Sequence, residues 1–255
     1  MPQLLEGKTA LILGVANKWS LAYAIAQAYR REGAKLLLTY QSERQKETVE
    51  ELGAELGAAA IFECDATRDE DLARLTETLG QHGKLDTLVH SIAFANREDL
   101  SRPFVETSRA GYLLAQDASA YSLVAVARAT APLMTGGGSV ITLSYLGATR
   151  VVTNYNVMGV AKAALEACVR YLASDLGPSN IRVNAISAGP VKTASARAVA
   201  GLSKMLEGMP ARTPLRRNCT PEEVADTAVF LASDLGRGVT GNVVFVDAGF
   251  QIMGL

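Results

Sequence analysis

The sequence predicts one α/β domain, doubly wound around a parallel sheet of about seven strands. Three observations carry this. Short apolar runs alternate with helix-length amphipathic stretches from end to end. The runs lack polar alternation, as strands covered on both faces do. No internal repeat, low-complexity stretch or linker divides the 255 residues, so residues 1–255 read as a single domain.

Strands are expected at Thr9–Leu13, Lys35–Tyr40, Ala59–Cys64, Thr87–Ile92, Ser139–Leu143, Ile181–Ile186 and Val243–Val246. Each is five or six residues, or slightly fewer, of mostly Val, Ile, Leu or Ala. Between them lie helix-length segments: Leu21–Arg31, Ser42–Leu56, Asp69–Gln81, Gly111–Ala131, Tyr155–Leu176 and Pro221–Ser233. The last opens Thr220-Pro221-Glu222-Glu223, a cap followed by a first-turn proline and acids. Strand and helix joined by short connections wind a parallel sheet. Only Val191–Cys219, between the sixth strand and the last helix, departs from this rhythm.

Composition excludes several function classes. Lys and Arg total 25 against 26 Asp and Glu, a poor match for a nucleic-acid binder, which carries a basic excess. Cys64, Cys168 and Cys219 are widely spaced without a CxxC pair. They read as small buried hydrophobes in a reducing compartment. The two histidines, His82 and His90, stand in no Cys/His cluster, so no metal site is expected. No secretory leader is visible at the start, and no run of eighteen apolar residues occurs. A cytoplasmic protein is expected. The positive mean hydropathy of +0.14 points to a large core and buried subunit interfaces.

In an open parallel sheet, ligands lie beyond the carboxyl ends of the strands, where strand order reverses. The first strand runs into Gly14-Val15-Ala16-Asn17-Lys18-Trp19-Ser20-Leu21. This is not Gly-x-Gly-x-x-Gly but a longer small-residue turn entering a helix at Ser20. Gly14 permits the tight turn. Ser20 offers a hydroxyl and an N–H at a helix N-terminus, where the macrodipole favours a pyrophosphate. Such turns also follow strands that bind nothing, so the other strand ends matter. The second ends at Tyr40-Gln41, where dinucleotide folds place an acid against the adenine ribose. The third ends at Cys64-Asp65-Ala66, whose carboxylate can accept from the adenine amino group or merely cap a turn. The fourth, His90-Ser91-Ile92-Ala93, ends in small residues that admit a flat ligand, with His90 read as a core histidine. Four such ends in order predict a Rossmann-type dinucleotide site.

The fifth strand leads into Leu143-Ser144-Tyr145-Leu146-Gly147, and Tyr155 through Lys162 follow ten residues after Tyr145. Seven residues turn a helix through about 700°, so Tyr155 and Lys162 share a face about 10.5 Å apart along the axis. An ordinary pair of this kind is a core Tyr and an exposed Lys. Here the surrounding helix reads as nearly all apolar or small, so its charge stands out.

The chain resembles a divergent short-chain dehydrogenase/reductase. The superfamily pattern is Tyr-x3-Lys with a Ser thirteen residues before the Tyr. Here those positions are Gly159 and Thr142. The Tyr-x6-Lys spacing, the upstream Tyr145, and the stretches Leu-Ser-Tyr-Leu-Gly, Asn-Tyr-Asn-Val-Met-Gly and Arg-Val-Asn-Ala-Ile-Ser-Ala-Gly-Pro are similar to bacterial NADH-dependent enoyl-acyl-carrier-protein reductases. The resemblance runs from Gly14 to Gly249. It implies cofactor contacts by Gly14, Ser20, Leu21, Gln41, Asp65, Ala66 and Ile92, and a substrate contact by Ala95. It implies that Lys162 holds the nicotinamide ribose, and that Val191, Lys192, Thr193, Ala194 and Ser195 meet the nicotinamide end and pyrophosphate. It sets Tyr155 against the substrate thioester carbonyl, with Tyr145 beside it.

These residue types suit reduction of a conjugated thioester. Hydride addition at C3 builds negative charge on the thioester oxygen, which a phenol hydrogen bond stabilises selectively in the transition state. A nearby ammonium raises the acidity of donors in the site. The wider Tyr–Lys spacing is consistent with a reacting carbon one conjugated bond further from the polarised oxygen than in a ketone.

The Val191–Cys219 excursion, extended by Thr220, carries Lys192, Arg197, Lys204, Arg212, Arg216 and Arg217 against one acid, Glu207. Val199, Leu202, Met205, Leu206 and Met209 recur at helical spacing. The segment reads either as a solvated surface helix or as a substrate lid whose basic side meets an acidic carrier protein. The apolar length of Gly111–Ala131 and Tyr155–Leu176 exceeds what one sheet face covers. With the family resemblance it implies a homotetramer. Two other readings stand: a 3-oxoacyl or carbonyl reductase, disfavoured by Gly159, and a non-catalytic nucleotide sensor, disfavoured by Tyr155 and Lys162.

Overall fold

β1 (Thr9–Leu13) lies in the interior of the sheet with all five residues buried. It pairs in parallel with β2 (Lys35–Tyr40) on one side and β4 (Thr87–His90) on the other. The structure, a computed structural model, describes residues 3–191 and 202–254. β3 (Ala60–Glu63), β5 (Gly138–Tyr145), β6 (Ile181–Ala188) and β7 (Val243–Val246) complete a seven-stranded parallel sheet in the order β3-β2-β1-β4-β5-β6-β7. The order reverses between β1 and β4, which opens the crevice that the sequence places beyond Gly14 and His90.

Helices cover both faces. On one, α1 (Leu21–Arg31), α2 (Glu43–Leu56) and α9 (Pro221–Ala232) bury Ile25, Tyr29, Val49, Leu52, Val224 and Val229 against Ile12, Leu38 and Ile186. On the other, α3 (Asp69–Gly80), α6 (Ser122–Thr130) and α7 (Asn156–Leu176) bury Leu72, Leu75, Leu123, Val126 and Leu165 against Leu11, Leu88 and Val183. The expected cap on α9 is present in full: Thr220 Oγ1 accepts from the Glu223 amide while Glu223 accepts from the Thr220 amide. A shorter helix, α4 (Arg97–Ser101), lies beyond β4. The three cysteines are free, Cys64 and Cys219 buried and Cys168 half-buried.

The expected single helix Gly111–Ala131 is not continuous. It comprises α5 (Arg109–Gln116), a π-helical turn at Asp117–Tyr121, and α6. The widened turn carries polar side chains inward. Ser119 Oγ accepts from the Phe94 amide at 2.9 Å and donates to the Phe94 carbonyl at 3.0 Å. Ser122 Oγ lies 2.9 Å from His90 Nε2 and donates to Ala118 O at 2.8 Å. π turns inside α-helices mark functional sites more often than chance, and this one faces the loop after β4. β5 and β6 run two residues further than expected. Ser144 and Tyr145 therefore belong to the sheet.

Of the Val191–Cys219 excursion, α8 (Leu202–Arg212) is described, with Leu206 and Met209 buried. Val199 of its expected apolar face lies outside the described residues. Among the described residues no helix is long and apolar enough to cross a membrane.

Candidate active site

Gly14 leaves β1 at φ +97°, and a Cβ there would collide with the Ser91 carbonyl. Only glycine combines this left-handed backbone with that close approach. The loop after β1 therefore lies directly against the loop after β4, bringing Ser20 and Ile92 to one crevice. Ser20 caps α1: its hydroxyl accepts from the Tyr23 amide at 3.2 Å and donates to Asn17 O at 2.8 Å. The first turn of α1 holds no acid, and its last turn holds Arg30 and Arg31. Its N-terminus is therefore electrostatically suited to a pyrophosphate. Leu21, at the first helical position, is half-buried.

Gln41 and Asp65 meet across the ends of β2 and β3, with Gln41 Nε2 donating to Asp65 Oδ2 at 3.1 Å. Partial burial alone would push the Asp65 carboxyl up. Bonds from the Thr67 amide and hydroxyl and from Gln41 outweigh this and hold it below its ordinary range. Asp65 is thus an ionised acceptor, and through the Thr67 bonds it caps the following turn. Ala66 is buried beside it. Among the described residues Arg44 joins no ion pair: Glu43, next to it in the sequence, pairs instead with Lys46 at 3.2 Å along the surface of α2.

The residues expected to react sit where β5 meets α7. The Tyr145 and Tyr155 rings pack edge to face, centroids 5.0 Å apart at 69°. Burial pushes the Tyr145 phenol up to about 12. Burial and the neighbouring Tyr145 push Tyr155 above its ordinary value. Both are neutral donors at physiological pH. Tyr155 precedes α7 between two asparagines with left-handed backbone, Asn154 at φ 62° and Asn156 at φ 34°. Asn156 Nδ2 donates to Leu100 O at 3.0 Å and Arg102 O at 2.6 Å, tying the start of α7 to the end of α4. The sequence reading passed over these asparagines. The signal was their tolerance of a left-handed backbone on either side of a reactive residue.

Lys162 is buried two turns along α7 and donates to Leu143 O at 2.7 Å, two residues before Tyr145. Burial pulls its ammonium down to about 8. His90 is fully buried, with Nδ1 3.0 Å from Thr142 Oγ1 and Nε2 on Ser122. Burial and the Lys162 charge push it down to about 3, so it is a neutral core histidine. Ala95 packs with Tyr155 on a small cluster of Leu100, Ala115, Val157, Met158 and Ala161. Val191 is buried beyond β6. Lys192, Thr193, Ala194 and Ser195 lie outside the described residues.

Residues 14–251 match the family model described as enoyl-(acyl carrier protein) reductase. The chain belongs to this family. An enoyl-acyl-carrier-protein reductase (NADH) of Bacillus cereus is 54% identical over 99% of this chain and 100% of its own. The crystal structure of a Bacillus cereus enoyl-acyl-carrier-protein reductase with NADP+ and an indole naphthyridinone superposes with a TM-score of 0.98 at 54% identity, covering 99% of this chain and 100% of that one. The enoyl-acyl-carrier-protein reductase of Anaplasma phagocytophilum, crystallised with NAD, gives 0.95 at 45% identity, covering 100% and 96%.

For this reductase the wide Tyr–Lys spacing has a steric counterpart. Gly159 sits where the broader superfamily has its lysine, and a Cβ there would stand 2.8 Å from Gly147 O. A Cβ on Gly147 would in turn strike the Tyr155 ring. α7 therefore rests backbone-to-backbone on the turn after β5, and a lysine at 159 has no room. Gly→Ala inside a helix ordinarily gains about 1 kcal/mol. At position 159 the sign reverses: we expect Gly159→Ala to lose about 1–3 kcal/mol in urea denaturation. Turnover should fall as well, because the contact it breaks joins the start of α7 at Tyr155 to the turn that follows Tyr145.

Proposed function

We propose that the protein reduces the trans-2 double bond of enoyl-acyl-carrier-protein thioesters to saturated acyl thioesters, with NADH as reductant, in fatty-acid elongation. The observation that carries this reading is the Tyr145–Tyr155 pair above a buried Lys162, in a chain that matches the family over its whole dinucleotide fold. When bound, NADH would supply the hydride that C3 of the substrate receives, and C2 then takes up a proton to give the saturated thioester. The cofactor suits the residues present: the acid-free N-terminus of α1 at Ser20, the Gly14 turn beneath it, and the Gln41–Asp65 acceptor pair for the adenosine end.

Tyr155 donates its phenol hydrogen to the thioester oxygen as negative charge develops there, and Tyr145 fixes the ring that does so. A neutral phenol held in a dry setting strengthens this bond as the oxygen becomes anionic. Lys162 holds the ribose hydroxyls at the nicotinamide end. Ala95 and the Phe94 backbone, stapled to Ser119, wall the substrate side. Leu21, Ala66, Ile92 and Val191 line the cofactor crevice, which Lys192, Thr193, Ala194 and Ser195 complete. The segment from about 191 to 219 acts as the lid, its buried Leu206 and Met209 facing inward and its basic residues meeting the acidic carrier. One domain, 1–255, carries all of this in the cytoplasm.

Crotonyl thioester should drive NADH oxidation at 340 nm, whereas acetoacetyl thioester should not. The reverse preference would assign a 3-oxoacyl reductase, and binding without turnover a nucleotide sensor. Tyr155→Phe should fold as the wild type does and lose about 10²–10³ in turnover.

NADH is preferred over NADPH. The ionised Asp65 bonded to Gln41 disfavours a 2′-phosphate on the adenine ribose, and Arg44 alone is too little cation to reverse this. We expect at least about a tenfold preference for NADH in kcat/KM, about 1.4 kcal/mol. Equal rates with NADPH would overturn the preference and leave the reaction unchanged.

The assembly is a homotetramer. Tyr112, Leu113, Tyr121 and Tyr171 expose apolar surface along α5, the π turn and α7. Light scattering should return the mass of four 27.0 kDa chains, and a stable monomer would refute it.

A further inference from the structure

Glu166 is an acid on the inner face of α7, only 7% exposed, and the reaction as derived so far makes no use of it. It lies one turn beyond Lys162, on the same side of the helix. Ser144 of β5 donates its hydroxyl hydrogen to Glu166 Oε1 at 2.5 Å. Ser144 stands between Leu143, whose carbonyl receives the Lys162 ammonium, and Tyr145, whose ring packs on Tyr155. One carboxylate thus holds the central residue of a three-residue strand end that feeds both reactive groups.

We propose that Glu166 is a positioning residue of the reductase site, clamping Ser144 and supplying the counter-charge that keeps the Lys162 ammonium in place for the cofactor. This rests on the reading that Lys162 holds the nicotinamide ribose.

A buried ammonium needs a compensating charge, because its attraction to a single carbonyl does not offset the loss of water. Glu166 is the group that opposes the effect of burial on Lys162. Burial pushes the Glu166 carboxyl above its ordinary range, and the Ser144 bond, Arg170 and Lys162 oppose that rise and favour its ionised form. The remaining titratable groups around the pair are accounted for. Arg170 spends one guanidinium hydrogen on Glu166 O at 3.0 Å. Tyr145 and Tyr155 are held neutral, and His90 from β4 is neutral and adds no charge. Ser144 pairs with Ser187 of β6, so the clamp reaches a strand covered on both sides rather than a loose loop.

The sign of the pH effect follows. With its folded value near 8, Lys162 loses its proton as pH rises through 8, and NADH affinity falls with it. Removing the Glu166 charge lowers that value further, so the fall begins at lower pH.

The experiment is NADH dissociation constants by fluorescence, from about pH 6 to about pH 9, for wild type, Glu166→Gln, Glu166→Asp and Lys162→Ala. Glu166→Gln keeps size and an acceptor for Ser144. It should bind NADH about five- to tenfold more weakly than wild type near pH 8 and within about twofold near pH 6, one pH unit of displacement being tenfold. Glu166→Asp keeps the charge and should follow the wild-type profile, which separates charge from folding. Thermal melting checks that each variant is folded. A Glu166→Gln curve parallel to wild type at every pH, with Lys162→Ala weakened, overturns the proposal alone. Unchanged affinity in Lys162→Ala overturns the ribose reading beneath it.

Discussion

The close approach of α7 to the turn after β5 is the constraint on which the rest of the site depends. Gly159 and Gly147 let two backbones touch where any side chain would force them apart. That contact sets the height of α7 above the sheet. It decides that Tyr155 meets Tyr145 edge to face and that Lys162, two turns on, arrives beneath Leu143 rather than at the surface. The lysine position is thus a matter of space before it is one of chemistry. With the helix this close, the fourth residue after Tyr155 faces backbone, and the seventh is the first on that line that can carry a long side chain inward.

Polar groups under the site are matched rather than avoided. His90 fills both ring nitrogens with hydroxyls, Ser119 serves both backbone groups of Phe94, and Ser144 serves Glu166. Apart from the His90–Thr142 bond, which joins β4 to β5, each link ties a strand or the loop after it to a helix. Buried polar networks stabilise little in net terms, but satisfied ones define a single arrangement. A site that must hold two phenols and an ammonium in fixed relation gains from that more than from extra apolar packing.

Much of this was legible in the chain. The strand runs and most helix bounds follow from apolar length and from caps such as Thr220-Pro221. Gly14 marked the tight turn after β1 and Ser20 the cap of α1, and the spacing of Tyr155 and Lys162 placed both on one stretch of α7 and its start. The π turn was hidden, because a single widened turn shifts the apolar period too little to break it over twenty residues. The left-handed backbone of the asparagines around Tyr155 was not legible, because Asn tolerates that conformation without requiring it. Glu166 escaped because α7 read as almost wholly apolar around Lys162, when the acid four residues on was the telling neighbour.

The π turn at Asp117–Tyr121 has a mechanical side. Tyr121 projects outward, 47% exposed, while Ser119 grips Phe94, one residue before Ala95. Tyr121, Ala120 and Ser119 therefore link the outer surface to the loop after β4 through one continuous turn of backbone and the two Ser119 bonds. The surface at Tyr121 and the backbone at Phe94 are in that sense one mechanical part.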